Sequence, residues 1–167
     1  MTYAHPTTVA LSLRDIRSDF LDMALDASGE YMDFNTRMDR QYLLDVATRR
    51  VAIEWAKAQK AYPILRNIAT PTTKISARLK TTAGYACYGA HSVEFSASLM
   101  WEHTEHFIKD TIPHEVAHLV THRVYPDVKG HHNAEWYAIM LNVYGIKATR
   151  CHTLTNTEWE ARKAHAI

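Results

Sequence analysis

Cysteine, glycine and proline are all scarce in this chain of 167 residues, which has two cysteines and five each of the other two. Two cysteines, Cys87 and Cys151, cannot form the multi-bridge framework of a small secreted domain or a four-cysteine zinc ribbon. Such a count is typical of a reducing compartment, so we expect a cytoplasmic protein. The low glycine and proline content, together with 47% hydrophobic residues, excludes fibrous and low-complexity classes and indicates a globular chain.

Long hydrophobic runs are also missing from the sequence. No segment approaches eighteen consecutive apolar residues, and residues 1–19 lack both a long apolar stretch and an early basic cluster. We therefore expect no membrane span, no membrane partner and no secretory signal peptide. The length predicts a single domain over residues 1–167 that is large enough to bury a real core.

The net charge is close to zero, but the charges are unevenly distributed. The formal net charge is +1, and it divides into −4 for residues 1–36, +7 for residues 37–80 and −2 for residues 81–167. The middle segment is therefore where an anionic partner would bind. Four of its cations share one face of a predicted helix, and they form either an ordinary solvated stripe or a phosphate-contacting face. These cations are Arg49, Arg50, Lys57 and Lys60.

Hydrophobic periodicity predicts helices on both sides of a group of short strands. Helices are expected over residues 12–29 and from about 36 to 61. Alternating apolar residues predict a strand within residues 71–80, and further short strands or turns near residues 85–88 and 92–97. The predicted fold is α+β, with N-terminal helices and a small, mostly antiparallel sheet.

The most informative stretch of the sequence is Thr111 to Val120, which contains the pattern His-Glu-x-x-His. On a helix, His114 and His118 project from the same face about 6 Å apart, so each can direct a ring nitrogen at one metal ion. Glu115 then lies beside the ion, where it can accept a proton from water. This arrangement is the signature of zinc hydrolases, with the glutamate as general base.

The residues before the motif predict where its helix begins. Asp110 and Thr111 are both candidate caps, and Pro113 falls in the first turn, where a missing N–H costs little. Two further histidines, His103 and His106, lie among glutamates just upstream, and we interpret them as solvated residues. The motif helix itself is expected to be buried, with its two histidines facing a cleft.

A catalytic zinc ion usually takes three protein ligands and leaves a fourth position for water. His122 continues the spacing of four but lies about 12 Å along the helix from His114, too far for one tetrahedral ion. Another helix is predicted from about residue 133 to 143, ended by Gly145 as its C-cap. The candidates for the third ligand precede or begin this helix. They are His131, His132 and Glu135.

Two segments of the chain carry a family resemblance. They are His114-Glu115-Val116-Ala117-His118 and, after a short loop, His132-Asn133-Ala134-Glu135-Trp136. Together they resemble the SprT/Spartan family of zinc metalloproteases, whose pattern is HExxH, a short loop, and HGxxW or HGxxF. The next segment, residues 145–152, ending at His152, also resembles that family. Asn133 replaces the usual glycine, and asparagine tolerates unusual backbone angles better than most residues.

The resemblance implies a zincin-like fold and a specific zinc site. One Zn²⁺ per chain would be bound by His114, His118 and His132, with Glu115 as the catalytic base. A sheet edge would line the cleft and align the substrate as an added strand. On this basis the domain divides into a helical part, a sheet with the zinc-binding core, and a tail. These parts cover residues 1–70, 71–153 and 154–167.

The resemblance further implies hydrolysis of peptide bonds in protein substrates, including proteins bound or crosslinked to DNA, as in DNA repair. A DNA-associated protein would be located in the nucleoid or the nucleus rather than free in the cytoplasm. The alternative is a zinc-stabilised module that binds nucleic acid or regulates a partner without turnover. In that case Glu115 would have no catalytic role.

Overall fold

The computed structural model of the protein describes residues 37–148. The helix expected at residues 12–29 and the tail at 154–167 lie outside the described residues. The described part combines α-helices with one small sheet, so the α+β prediction is confirmed. In chain order the elements are α1 (Arg37–Ala61), a 3₁₀ turn (Pro63–Leu65), β1 (Thr72–Ser76), β2 (Gly84–Cys87), β3 (Ser92–Ser96), α2 (Ala97–Glu102), α3 (Thr104–His106), a π-helical turn (Phe107–Thr111), α4 (Ile112–Val124) and α5 (Ala134–Asn142).

The sheet has the strand order β1-β3-β2, with β3 in the centre. Strand β3 is parallel to β1 and antiparallel to β2, so the expectation of a mostly antiparallel sheet holds for one of the two strand pairs. A tight turn at residues 88–91 folds β2 back onto β3. The longer connection at residues 77–83 leaves room for β3 to lie between β1 and β2. Both β1 and β2 are consequently edge strands of this sheet.

Helix α1 ends at Ala61, where the sequence predicted, shortly before Pro63, which disfavours helical geometry in the preceding residue. Its predicted start at about residue 36 lies at the limit of the described residues. Its fully buried residues include Ala47, Val51 and Trp55, and this side of the helix packs against β1 and α4. Although α1 is the longest helix in residues 37–148, neither it nor any other helix there is both long and apolar enough to cross a membrane.

Helix α4 begins differently from the prediction. The candidate cap Thr111 has helical backbone angles, φ −61° and ψ −45°, and makes no capping hydrogen bond with its side chain. The chain is already helical there, because the N–H of Ile112 donates to the carbonyl of Phe107 in the preceding π-helical turn. An N-cap is therefore unnecessary. Pro113 lies in the first turn as predicted, and every residue from 112 to 121 is buried, so α4 forms the centre of the core.

Helix α5 packs against α4 and agrees with the prediction within one residue at each end. Trp136, Ile139 and Met140 are fully buried. Gly145 has a φ of +70°, and its N–H donates to the carbonyl of Leu141 at 3.0 Å. Gly145 therefore ends the helix as the left-handed C-cap that the sequence predicted.

Candidate metal centre and active site

Three histidines converge at the bottom of a cleft. His114 and His118 come from α4, and His132 comes from the loop before α5. Their ring centroids are 4.8–5.0 Å apart, and the possible ligand atoms all lie within 4.8 Å of one another. Among residues 37–148, this is the one group of at least three His, Cys, Asp or Glu side chains close enough to share a metal ion.

The donor atoms of this group fit a metal ion with nitrogen ligands. A tetrahedral zinc ion with Zn–N bonds of about 2.0–2.1 Å places its ligand nitrogens roughly 3.4 Å apart. The Nε2 atoms of His114 and His132 are 3.0 Å apart, and the widest separation within the group is 4.8 Å. These values bracket the required distance, so the three histidines could coordinate a metal ion after small rotations of their rings.

Asn133 fixes the position of His132. Its side-chain oxygen accepts a hydrogen bond from the N–H of Trp136 at 2.8 Å, and its side-chain nitrogen donates to the carbonyl of Gly130 at 3.0 Å. The backbone of Asn133 is extended, with φ −88° and ψ 177°, so an unusual backbone angle is not the reason for asparagine here. Asn133 is instead the N-cap of α5, a position for which asparagine is among the preferred residues.

The fully buried indole of Trp136 contacts all three histidines. The centroid of its ring lies 4.6 Å from the ring centroid of His114 and 4.7 Å from that of His132, in both cases edge to face. It stacks on the ring of His118 with the centroids 5.3 Å apart. Its Nε1–H also donates to the carbonyl of His114 at 3.4 Å. The sequence identified Trp136 only as a core residue and as part of the family pattern. Its contact with every candidate ligand was not predicted, although its spacing of four from His132 was a signal.

Glu115 lies in the same cleft and is only 5% exposed. Burial raises the pKa of its carboxyl group to about 8, and a hydrogen bond from the backbone of Ala86 in β2 acts in the opposite direction. That hydrogen bond holds the carboxylate against the edge of the sheet. Sequence reasoning predicted Glu115 but had no means of finding Ala86, which is 29 positions away in the chain.

The cleft has a volume of about 960 Å³ and two walls of different origin. Residues 81–84, which lead into β2, line one wall, and residues 129–133 together with Tyr137 of α5 line the other. The space is large enough to admit a segment of a second polypeptide. The predicted histidines and Glu115 are therefore accessible from outside even though each is largely buried.

The remaining histidine and glutamate candidates lie outside the three-histidine group. His131 is exposed, and its Nδ1 lies 3.2 Å from the hydroxyl of Tyr88. His122 is exposed as well and stacks on the same tyrosine ring at 4.5 Å. Glu135, the rival third ligand, is half-buried in the first turn of α5. His152 lies outside the described residues.

The upstream histidines also have neighbours other than the metal group. His103 lies 3.9 Å from Glu102, and His106 lies 3.9 Å from Asp110. Both residues are half-buried, His103 in the turn between α2 and α3 and His106 at the end of α3.

The four cations predicted on α1 divide into two pairs. Arg50 and Lys57 lie 2.6 Å and 3.0 Å from the carboxylate of Glu54, which is fully buried. Arg49 and Lys60 are exposed. The sequence did not reveal that Glu54 is buried between its two partners on the helix. Among residues 37–148, Arg49 and Lys60 are thus the two of these four cations without an ion pair to a carboxylate, and the phosphate-contacting role of the four stays a prediction.

Glu115 is expected to make the metal-free chain less stable as the pH rises. Its pKa is about 8 in the folded chain against an ordinary value of 4.5, so the unfolded chain releases this proton first. The stabilisation is complete below about pH 4.5 and is lost by about pH 8, a change of at most about 5 kcal/mol in the free energy of unfolding. Urea denaturation after chelation should show this decline for the natural chain and a smaller one for Glu115→Gln. An identical pH dependence for both would contradict the prediction.

Comparisons with known proteins agree with the pattern of residues in the site. The model of the SprT-like family matches residues 56–152, more than half of the chain. Protein SprT from Pseudomonas fluorescens is 44% identical over 71 residues, which are 42% of this chain and 43% of that protein. Protein SprT from Pseudomonas paraeruginosa is 38% identical over 84 residues, 50% of this chain and 51% of that protein. The matched segment thus spans about half the length of these curated relatives. No solved structure gave a significant match.

Proposed function

Because the chain belongs to the SprT-like family, we propose that it is a zinc-dependent metallopeptidase that hydrolyses peptide bonds of DNA-bound or DNA-crosslinked proteins. One observation carries the peptidase part of this proposal: a buried carboxylate, Glu115, lies beside three converging histidines in a cleft open to a second polypeptide. The substrate class follows from the family resemblance and from the net charge of +7 on residues 37–80.

The protein's own groups have separate tasks in this chemistry. Zinc held by His114, His118 and His132 would supply a Lewis acid that polarises water and the peptide carbonyl. The positive charge of a bound ion would lower the pKa of Glu115 from its raised value in the metal-free chain, so that its carboxylate can take a proton from the attacking water and then pass it to the nitrogen of the leaving amine. The N–H of Ala86 holds that carboxylate in one orientation while the proton moves.

Strand β2 is the element that would align the substrate. It pairs with β3 along one edge only, and in the described residues its other edge has no partner strand. Its first residue, Gly84, lines the cleft, and Ala86 contacts the catalytic carboxylate. An extended substrate segment that adds to this edge would bring its backbone next to Glu115.

A zinc-stabilised module without turnover is the alternative function. A structural zinc site usually has four protein ligands and is closed, whereas residues 37–148 provide three histidines in an open cleft. Such a module would also have no use for a buried carboxylate next to the ion. These features support the enzyme over the binding module.

The proposal is tested by incubating the zinc-loaded full chain with a DNA-binding protein, with and without single-stranded DNA and with a chelator. We expect cleavage that the chelator abolishes, that added zinc restores, and that DNA accelerates. An intact substrate in every reaction, at one zinc per chain, would contradict the peptidase activity. Cleavage unaffected by DNA would contradict only the substrate class.

A further inference from the structure

A row of polar side chains crosses one face of the sheet. Lys74 of β1 is paired with Glu94 of β3, which is paired with Tyr85 of β2. Residues paired across neighbouring strands project from the same face. The hydroxyl of Tyr85 donates to Oε2 of Glu94 at 2.6 Å, in agreement with this arrangement. This row does not include any residue of the metal centre.

A groove of about 690 Å³ borders this row, between β1 and the first turns of α1. Three cations line it, Arg40, Lys74 and Arg78, together with one carboxylate, Glu94. All three cations are exposed, and within residues 37–148 none of them is held in an ion pair. They differ in this from Arg50, which neutralises a buried carboxylate.

An exposed aromatic ring lies next to these cations. The side chain of Tyr85 is 43% exposed, although a residue of this size is usually more covered. Its hydrogen bond to Glu94 raises the pKa of its hydroxyl, whereas the nearby positive charge of Arg78 lowers it, so the three side chains are neighbours. The hydrogen bond also fixes the ring on the sheet surface. In the sequence no aromatic residue is interleaved with the four cations of the other α1 face, Arg49, Arg50, Lys57 and Lys60.

We propose that this surface, the groove lined by Arg40, Lys74 and Arg78 together with the neighbouring ring of Tyr85, binds single-stranded nucleic acid. The cations contact phosphates, and the tyrosine ring stacks on a base. An exposed ring beside exposed cations suits a strand with unstacked bases better than an acidic polypeptide, which offers charge but no planar group. The inference deepens the proposed function, because it supplies the contact to nucleic acid that the proposed substrate class requires.

The groove is tested by measuring the affinity of the zinc-loaded full chain for a fluorescein-labelled oligothymidylate. The double variant Lys74→Gln/Arg78→Gln is compared with the matched pair Arg49→Gln/Lys60→Gln, which removes the same charge from α1. We expect the groove variant to lose at least about tenfold in affinity and the α1 variant to change little. Three contacts between cations and phosphates predict a slope of about −2 when log K is plotted against the logarithm of the salt concentration. In the groove variant one contact remains, so the slope should be only about −0.7.

The stacking contribution is tested separately at Tyr85. Tyr85→Leu should lose roughly 5- to 150-fold in affinity, because stacking on an aromatic contributes about 1–3 kcal/mol per base. Tyr85→Phe, which keeps the ring and loses the hydroxyl, should bind nearly as well as the natural chain. A loss of equal size in Tyr85→Phe would overturn the stacking role.

Two results would overturn the groove as a whole. One is a loss of affinity in the α1 pair that equals or exceeds the loss in the groove pair. The other is tighter binding of poly-glutamate than of oligothymidylate, which would indicate an acidic protein partner. The variant Glu115→Gln tests the peptidase proposal independently of the groove, because it should lose cleavage but keep its affinity for oligothymidylate.

Discussion

Replacing Glu115 with glutamine is expected to reduce the kcat/KM of peptide hydrolysis by roughly 10²- to 10⁴-fold, the usual contribution of a general acid–base group. The amide has nearly the same shape as the carboxylate and can still accept the hydrogen bond from Ala86. It cannot take a proton from water at neutral pH. Zinc should remain at one per chain, because Glu115 is not among the three converging ligands. Turnover of a fluorogenic peptide and metal content, measured on the same sample, test both parts.

The control for this variant is Glu105→Gln. Glu105 is an exposed glutamate close in sequence to the motif and pairs with Lys109 on the surface, so its replacement should leave turnover near the level of the natural chain. If Glu115→Gln retained full activity while its zinc content was normal, the carboxylate would have no role in the reaction. The non-catalytic module would then be the better description.

Replacing His132 with alanine is expected to weaken zinc binding by at least about 100-fold. That loss exceeds what is typical when only a hydrogen-bond partner of a ligand is removed. The reason is geometric, since Nε2 of His132 lies 3.0 Å from Nε2 of His114 and no other histidine, cysteine or carboxylate among residues 37–148 joins this group. Competition with a chromogenic chelator measures the affinity directly.

Two neighbouring residues provide matched controls for the ligand assignment. Glu135→Ala removes the rival ligand, and His131→Ala removes the adjacent histidine, which interacts with Tyr88. Both variants should bind zinc within a few-fold of the natural chain. If His132→Ala kept full zinc occupancy and Glu135→Ala lost its zinc, Glu135 and not His132 would be the third ligand.

The parts of the site that depend on local spacing could be predicted from the sequence. A separation of four on a helix places His114 and His118 on one face whatever the rest of the chain does. Gly145 ends α5 for a similarly local reason. The choice of His132 rested on the family resemblance. The structure supplies the physical reason for its position, the capping of α5 by Asn133.

Features that depend on distant residues could not be predicted. The order of the strands is set by which segments meet in space, so the parallel pairing of β1 with β3 has no local signal. The contact of Ala86 with Glu115 joins a strand to a helix for the same reason. On α1, the face carrying Arg50 was predicted to be either a solvated stripe or a phosphate-contacting face. Its ion pair with the buried Glu54 had no local signal, because the burial of Glu54 depends on what packs against that helix.

The position of Trp136 also determines whether folding or metal binding supplies the free energy that orders the three histidines. Ligands on α4 and in the loop before α5 are separated by a flexible connection in an unfolded chain, and bringing them together reduces the chain's freedom. Packing of the indole against His114, His118 and His132 brings about that ordering as part of the folding of the core. A metal ion that binds here would meet ligands that folding has already brought together, so little of its binding free energy would be used to order the chain. The centre is in this sense preorganised by a hydrophobic residue that coordinates nothing.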